Sequence, residues 1–114
     1  MDIMQRRQGN VVILDVHGAI SMGESKEKFA HVMNELFAQA NVNVLLNFED
    51  INYVDSTGIG ELVGYLNRFA ENNRHLKILK PHERIKKLLQ ITKLDTIFEI
   101  FQDESEALNS FPNG

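Results

Sequence analysis

The sequence predicts a single α/β domain over residues 1–114, a mixed four- to five-stranded sheet with helices packed against it. Three observations lead there. After an opening hairpin, short apolar runs alternate with stretches whose apolar residues recur every three or four positions. Residues 11–16 and 42–48 are apolar on both faces, as in strands covered on two sides. The chain is long enough for one hydrophobic core and too short for two, with no linker, repeat or low-complexity stretch.

Taken in order, residues 3–5 read as a short edge strand, and Gln8-Gly9-Asn10 as a hairpin turn into the strand at 11–16. Ser21-Met22-Gly23-Glu24 has the capping-box spacing, which predicts a helix with Ser21 as its cap and Glu24 reaching back. Phe29, Val32, Met33, Leu36, Phe37 and Ala40 give that helix one apolar face. Residues 42–48 form the third strand. A second helix follows residue 55, with Ile59, Leu62, Val63, Leu66, Phe69 and Ala70 on its apolar side. Residues 76–79 form a fourth strand closed by Lys80-Pro81, since a residue before proline avoids the helical region. Ile85, Leu88 and Leu89 mark a third helix. A turn and short strand over 94–101 and a helix over 103–108 complete the domain, and the tail 109–114 is expected to fray.

Composition narrows the function classes. Hydrophobic residues make up 43% and charged residues 25%, the usage of a folded domain. With no cysteine there is no disulfide framework and no thiolate zinc site. No apolar run reaches the roughly 20 residues of a membrane span, and the first residues lack a signal-peptide core, so a cytoplasmic protein is expected. The net charge of −4 is uneven: Arg74, Lys77, Lys80, Arg84, Lys86, Lys87 and Lys93 face a single acid, Glu83, within residues 74–93. That stretch has no aromatic residue on which bases could stack, so it reads as a solvated face and not as a nucleic-acid site.

The chemistry concentrates at Asp55-Ser56-Thr57-Gly58-Ile59-Gly60, a strand-to-helix corner where unpaired N–H groups favour an anion and where Gly58 leaves room for another molecule. Asp55 and Ser56 are both preferred N-caps, and either could serve the helix with no further role. Gly58, Gly60 and Gly64 miss the dinucleotide-binding fingerprint by one position; close packing of the helix on its neighbours is the simpler account of Gly60 and Gly64. No phosphate-loop motif occurs. A hydrolase elbow would need glycine at Val54, and His17, His31, His75 and His82 have neither triad order nor metal-ligand spacing. Glu49, Asp50 and Asp55 are expected to form an acidic rim. Neither catalytic residues, cofactor nor metal follows from these patterns.

The run from Leu46 to Gly60 resembles the STAS domain, named for sulphate transporters and anti-sigma-factor antagonists, most closely its bacterial antagonists. Further similarity lies in Gly18-Ala19-Ile20, in residues 81–89, in Ile91-Thr92-Lys93-Leu94, in Ile97-Phe98 and in Glu106-Ala107-Leu108. Ser21 stands where members commonly carry an acid, and Asn72 and Asn73 where glycine is frequent. The resemblance implies a non-enzymatic partner switch that acts as a monomer or small oligomer. Its unphosphorylated form would bind an anti-sigma factor serine kinase and release the sigma factor. Phosphorylation of Ser56, with Thr57 the secondary candidate, would block binding, and a serine phosphatase would reset it. Asp55, Ser56, Thr57, Gly58, Ile59 and Gly60 would form the docking surface. An alternative within the same family is a scaffold subunit of a stress-signalling or lipid-transport assembly.

Overall fold

In the computed structural model, which describes residues 1–112, five strands form one sheet in the order β1-β2-β3-β4-β5. β1 (Asp2–Gln8) runs antiparallel to β2 (Val11–Ile20), and β3 (Asn43–Val54), β4 (Leu76–Leu79) and β5 (Ile100–Phe101) continue the sheet in parallel. The parallel joins are made by α1 (Glu24–Ala38), α2 (Ser56–Glu71) and α3 (Glu83–Ile91), the last followed by a 3-10 turn at Leu94–Thr96. α4 (Glu104–Asn109) closes the chain. The mixed sheet and its helices match the expected fold class.

Both faces of β2 are covered, as its unbroken apolar run predicts. Val12, Leu14, Val16 and Ile20 enter the main core with Phe29, Met33 and Leu36 of α1, Leu62 and Phe69 of α2, and Ile85 and Leu89 of α3. The alternate residues Val11 and Ile13 join Leu45, Leu79, Ala107 and Phe111 in a smaller cluster under α4. Beside that cluster Arg6 ties β1 to the rest. Its guanidinium donates to both carboxylate oxygens of Asp15 (2.7 and 3.0 Å) and both of Glu104 (2.7 and 3.0 Å), while Asn47 donates to Asp15 (2.7 Å).

Several expectations are corrected. The edge strand is longer than residues 3–5, because the hairpin at Gly9 (φ +62°) puts every residue from Asp2 to Gln8 in register with β2. The third strand runs past Phe48 to Val54. Its residues in the main core are Val44, Leu46, Phe48, Ile51 and Val54, so the spacing of two becomes three after Phe48. Two bulges account for this. Asp15 faces Asn47 but His17 faces Asp50, and Gly18 faces Ile51 but Ala19 faces Tyr53, so β3 twice gains one residue on β2. The capping box at Ser21 does not form: Gly23 is the N-cap of α1, and the Ser25 hydroxyl instead donates to the Ser21 carbonyl (3.1 Å) and accepts from the Ser21 N–H (3.2 Å). Lys80 ends β4 in the left-handed region (φ +52°), its N–H held by the Phe101 carbonyl (2.7 Å).

The tail is more ordered than expected up to Phe111, which is buried, while residues 113–114 lie outside the described part. The Lys77 ammonium donates to the Ser110 carbonyl and hydroxyl (3.1 and 2.9 Å), pairs with Glu99 and sits over the Phe111 ring. Arg74 likewise turns inward. It donates to the carbonyls of Leu36, Phe37 and Val42, supplying partners for the C-terminal end of α1. Two of the seven cations in residues 74–93 therefore hold the scaffold together and contribute little to a basic face.

Arg6 holds the Asp15 and Glu104 carboxyls below the usual carboxylate range. Groups whose folded pKa is lowered contribute stability that is complete above their unfolded pKa and is lost as pH falls through the folded one. The stability these two carboxyls contribute should therefore be constant above pH about 5 and be lost below about 4, which lowers the thermal midpoint in acid. Arg6→Met should shrink that acid dependence, as measured by calorimetry across the same pH range.

Candidate functional site

The corner between β3 and α2 is built by Asp55. Its backbone is extended (φ −92°, ψ −178°), its carbonyl accepts the first helical bond from Ile59 (2.9 Å), and its Oδ1 accepts the Gly58 N–H (2.8 Å). That is the geometry of an N-cap. The other carboxylate oxygen accepts the Met22 N–H (3.0 Å), which fastens the loop before α1 to the start of α2. Bonding from Gly58 first and Met22 second holds the Asp55 carboxyl below its ordinary pKa, so it is ionised at neutral pH. The choice between two caps is thereby resolved in favour of Asp55.

Ser56 is then the first helical residue. It is exposed, and among the described residues its hydroxyl makes no side-chain hydrogen bond. Thr57 and Ile59 are half-buried and Gly60 is exposed. The loop residue Met22 and the strand residue Tyr53, 75% and 53% exposed, place two large apolar side chains on segments that flank this corner. Neither was singled out by sequence. Their signal was weak, since an apolar residue on a loop or on a bulged strand has no period to mark it.

Gly58 plays a different part from the one expected. It is buried, and a Cβ there would lie 2.3 Å from the Ile20 carbonyl oxygen and 2.8 Å from Val54 Cγ1. The room left by its missing side chain is filled by the end of β2, not by another molecule. Gly60 and Gly64 are also reversed from expectation. A Cβ at either would meet nothing within 4 Å, so neither glycine is required for helix packing within this chain.

Extension of β3 also disperses the acidic rim. Glu49 and Asp50 lie six and five residues before Asp55, on the order of 15–20 Å along a strand. Each has a cationic or imidazole neighbour, Lys80 at 3.4 Å from Glu49 and His17 at 3.4 Å from Asp50. Of these three acids, Asp55 alone stays at the corner. Glu61, one turn further along α2, is paired with Lys26 of α1 (3.5 Å). No histidine hydrogen-bonds Ser56 among the described residues, and there no cluster of three histidine, aspartate or glutamate side chains could hold a metal. The same part of the chain has no helix long and apolar enough to cross a membrane.

Comparison with known proteins decides the family. The STAS domain profile matches residues 2–107. This chain belongs to the STAS family. A Thermotoga neapolitana protein described as a candidate anti-sigma factor antagonist is 31% identical over 77 residues, 68% of either chain. The anti-sigma-B factor antagonist of Staphylococcus aureus is 36% identical over 58 residues, and the match spans about half of each protein, 51% of this chain and 54% of the relative. Among solved structures, a candidate antagonist from Thermotoga maritima superposes with a TM-score of 0.87 at 22% identity, covering 94% of this chain and 92% of its own. The Bacillus cell fate determinant SpoIIAA in its phosphorylated form gives 0.74 at 19% identity, covering 95% and 97%. At these identities the two structures establish the STAS fold.

The glycine assignments lead to opposite mutational outcomes. Gly58→Ala must push α2 from β2 and should destabilise the domain by about 1–3 kcal/mol, as overpacking does. Gly64→Ala should stabilise it by about 0.4–1 kcal/mol, because alanine fits the helix and restricts the unfolded chain. Chemical denaturation of the two variants beside the parent chain checks both signs.

Proposed function

We propose that this STAS domain is an anti-sigma factor antagonist that acts in the cytoplasm as a partner switch, with Ser56 as the phosphorylated residue. One observation carries the proposal: Asp55 performs the capping, which leaves an exposed, unbonded hydroxyl at the first position of α2. A serine engaged as the cap would have to break its own structural bond to react. Ser56 has none to break. The half-buried Thr57 is the secondary candidate. Family membership and the antagonist names of its relatives support the same reading.

In this reading the unphosphorylated protein docks on an anti-sigma factor serine kinase through Asp55, Ser56, Thr57, Ile59 and Gly60, and the kinase releases its sigma factor. Gly58 lies beneath that surface and positions it. The kinase supplies ATP, a serine phosphatase resets Ser56, and the chain itself catalyses nothing and needs no cofactor. A phosphoserine brings about −1.5 to −2 charge. On the first turn of a helix the dipole favours it by up to about 2 kcal/mol, while the ionised Asp55 opposes it. These effects oppose each other, so the fold should persist. Against a docked partner that charge would lose its water. Several kcal/mol would then be at stake, whereas about 2.7 kcal/mol already lowers affinity a hundredfold.

The test is to incubate the purified chain with its cognate anti-sigma kinase and ATP and to map the modification by mass spectrometry. Phosphate on Ser56 is expected; phosphate confined to a distant residue would overturn the assignment. Ser56→Asp should lower kinase affinity by about a hundredfold or more while the thermal midpoint changes little, and Ser56→Ala should bind like the parent but resist modification. Calorimetric titration separates these outcomes.

A further inference from the structure

α3 presents a second face beside the one its core uses. Ile85 and Leu89 are buried, with Leu88 packed against the edge of the core, and Arg84, Lys87, Leu88 and Ile91 follow the i, i+3, i+4, i+7 spacing of a face that is half cationic and half apolar. This second face borders a groove of about 260 Å³ against the end of β3. Val54 and Ile85 are its buried members, Tyr53 closes it on the strand side, and Ile91, 78% exposed, on the helix side. Nothing in the described chain covers Ile91 or Tyr53.

Charge marks the groove. Within residues 74–93, Arg74 is bound to carbonyls, and Lys77, Lys80 and Lys86 are paired with Glu99, Glu49 and Glu83. Of the remaining cations Lys93 lies beyond the end of α3, whereas Arg84 and Lys87 both line the groove, and neither has an ion-pair partner among the described residues. An acidic chain, net −4, thus presents an apolar channel with a locally positive rim. Its position is equally informative: Tyr53 and Val54 directly precede Asp55 and Ser56, so the groove is continuous with the corner.

We infer that this groove is a second docking element, which receives an acidic segment of a partner protein, an aliphatic or aromatic side chain entering between Tyr53 and Ile91 while flanking carboxylates meet Arg84 and Lys87. The inference rests on the proposed function for the partner's being a protein. Two cations favour that occupant over a membrane or a nucleic acid. At about 1 kcal/mol per basic residue near an anionic membrane they would not hold an acidic protein there, and nucleic acid requires a broader basic surface. A concave apolar channel suits a peptide side chain better than a bilayer.

The full chain, labelled with nitrogen-15, is titrated with a synthetic peptide in which a leucine-phenylalanine pair is flanked by aspartates and glutamates, and with its counterpart carrying lysines in place of the acids. The acidic peptide should shift the Tyr53, Lys87, Leu88 and Ile91 amide signals saturably, and the lysine peptide should not. The Arg84→Glu/Lys87→Glu double variant should bind the acidic peptide about tenfold more weakly and gain affinity for the lysine peptide. Ile91→Ser should weaken the acidic peptide with charges unchanged. Absence of saturable shifts, or equal binding of both peptides to the parent chain, overturns the inference. So do shifts of these same signals on dilution of the chain alone, which would assign the groove to a second copy, or with vesicles of anionic lipid but not with peptide. Ser56 takes no part in the measurement. Failure here with Ser56 still modified by the kinase removes the groove and leaves the switch; success without Ser56 modification does the reverse.

Discussion

The contact between the first turn of α2 and the end of β2 fixes the geometry of this molecule's functional end. The Ile20 carbonyl accepts the Asp55 N–H (3.3 Å) and occupies the space a side chain at residue 58 would need. Only glycine lets the helix come so near. Once it does, the Asp55 carboxylate lies within reach of two N–H groups, one from its own helix and one from Met22 on the adjoining loop. A single close approach therefore joins β2, the β2–α1 loop and α2. It also leaves Ser56 as the one exposed residue of the Asp55–Gly58 turn.

β3 supplies the second constraint. Each bulge advances the strand by one residue, and the two together return Val54 to the core and leave Tyr53 outside it. Without the first, Ile51 would point away from the core; without the second, Val54 would. The same extension carries Glu49 and Asp50 farther from the corner than a Debye length of about 8–10 Å, so their charges are largely screened there. Near Ser56 there remain Asp55, the α2 dipole and the Lys26–Glu61 pair one turn along the helix, with Arg84 and Lys87 beyond Tyr53 and Val54.

These particulars also explain how much could be read from sequence. Alternation of strands and helices was legible because α1 and α2 keep their period and β2 and β4 are short apolar runs bounded by turns, and the corner was legible because Asp and Ser are common where helices begin. The second half of β3 was not, since a bulge erases the spacing of two on which strand reading depends. Ser21 and Glu24 have capping-box spacing, yet Asp55 draws the Met22 N–H across the corner and Ser25 folds back on Ser21; a contact 33 residues away decided a local motif. Gly58 did leave a trace. It is in phase with Leu62, Tyr65 and Phe69, the buried face of α2, whereas Gly60 and Gly64 are not. Spacing alone counted the basic residues of 74–93 together, and only the fold shows that Arg74 and Lys77 turn inward while Arg84 and Lys87 turn out.

A charge switch works best where the added charge burdens binding and spares folding. Three features of the corner meet that condition. The cap is a separate residue, so modifying Ser56 breaks no bond of the scaffold. The site is exposed, so a phosphate remains hydrated until a partner covers it. The scaffold beneath is held by the close approach at Gly58 and by a carboxylate, ionised at neutral pH, that accepts two N–H groups. In the proposed reading the free energy of phosphorylation is thus expressed almost wholly at the docking surface. The groove beside α3, formed by residues the phosphate does not touch, would keep its own contribution to affinity in both states, so the phosphate would set how completely a partner is released and not whether it can recognise this face.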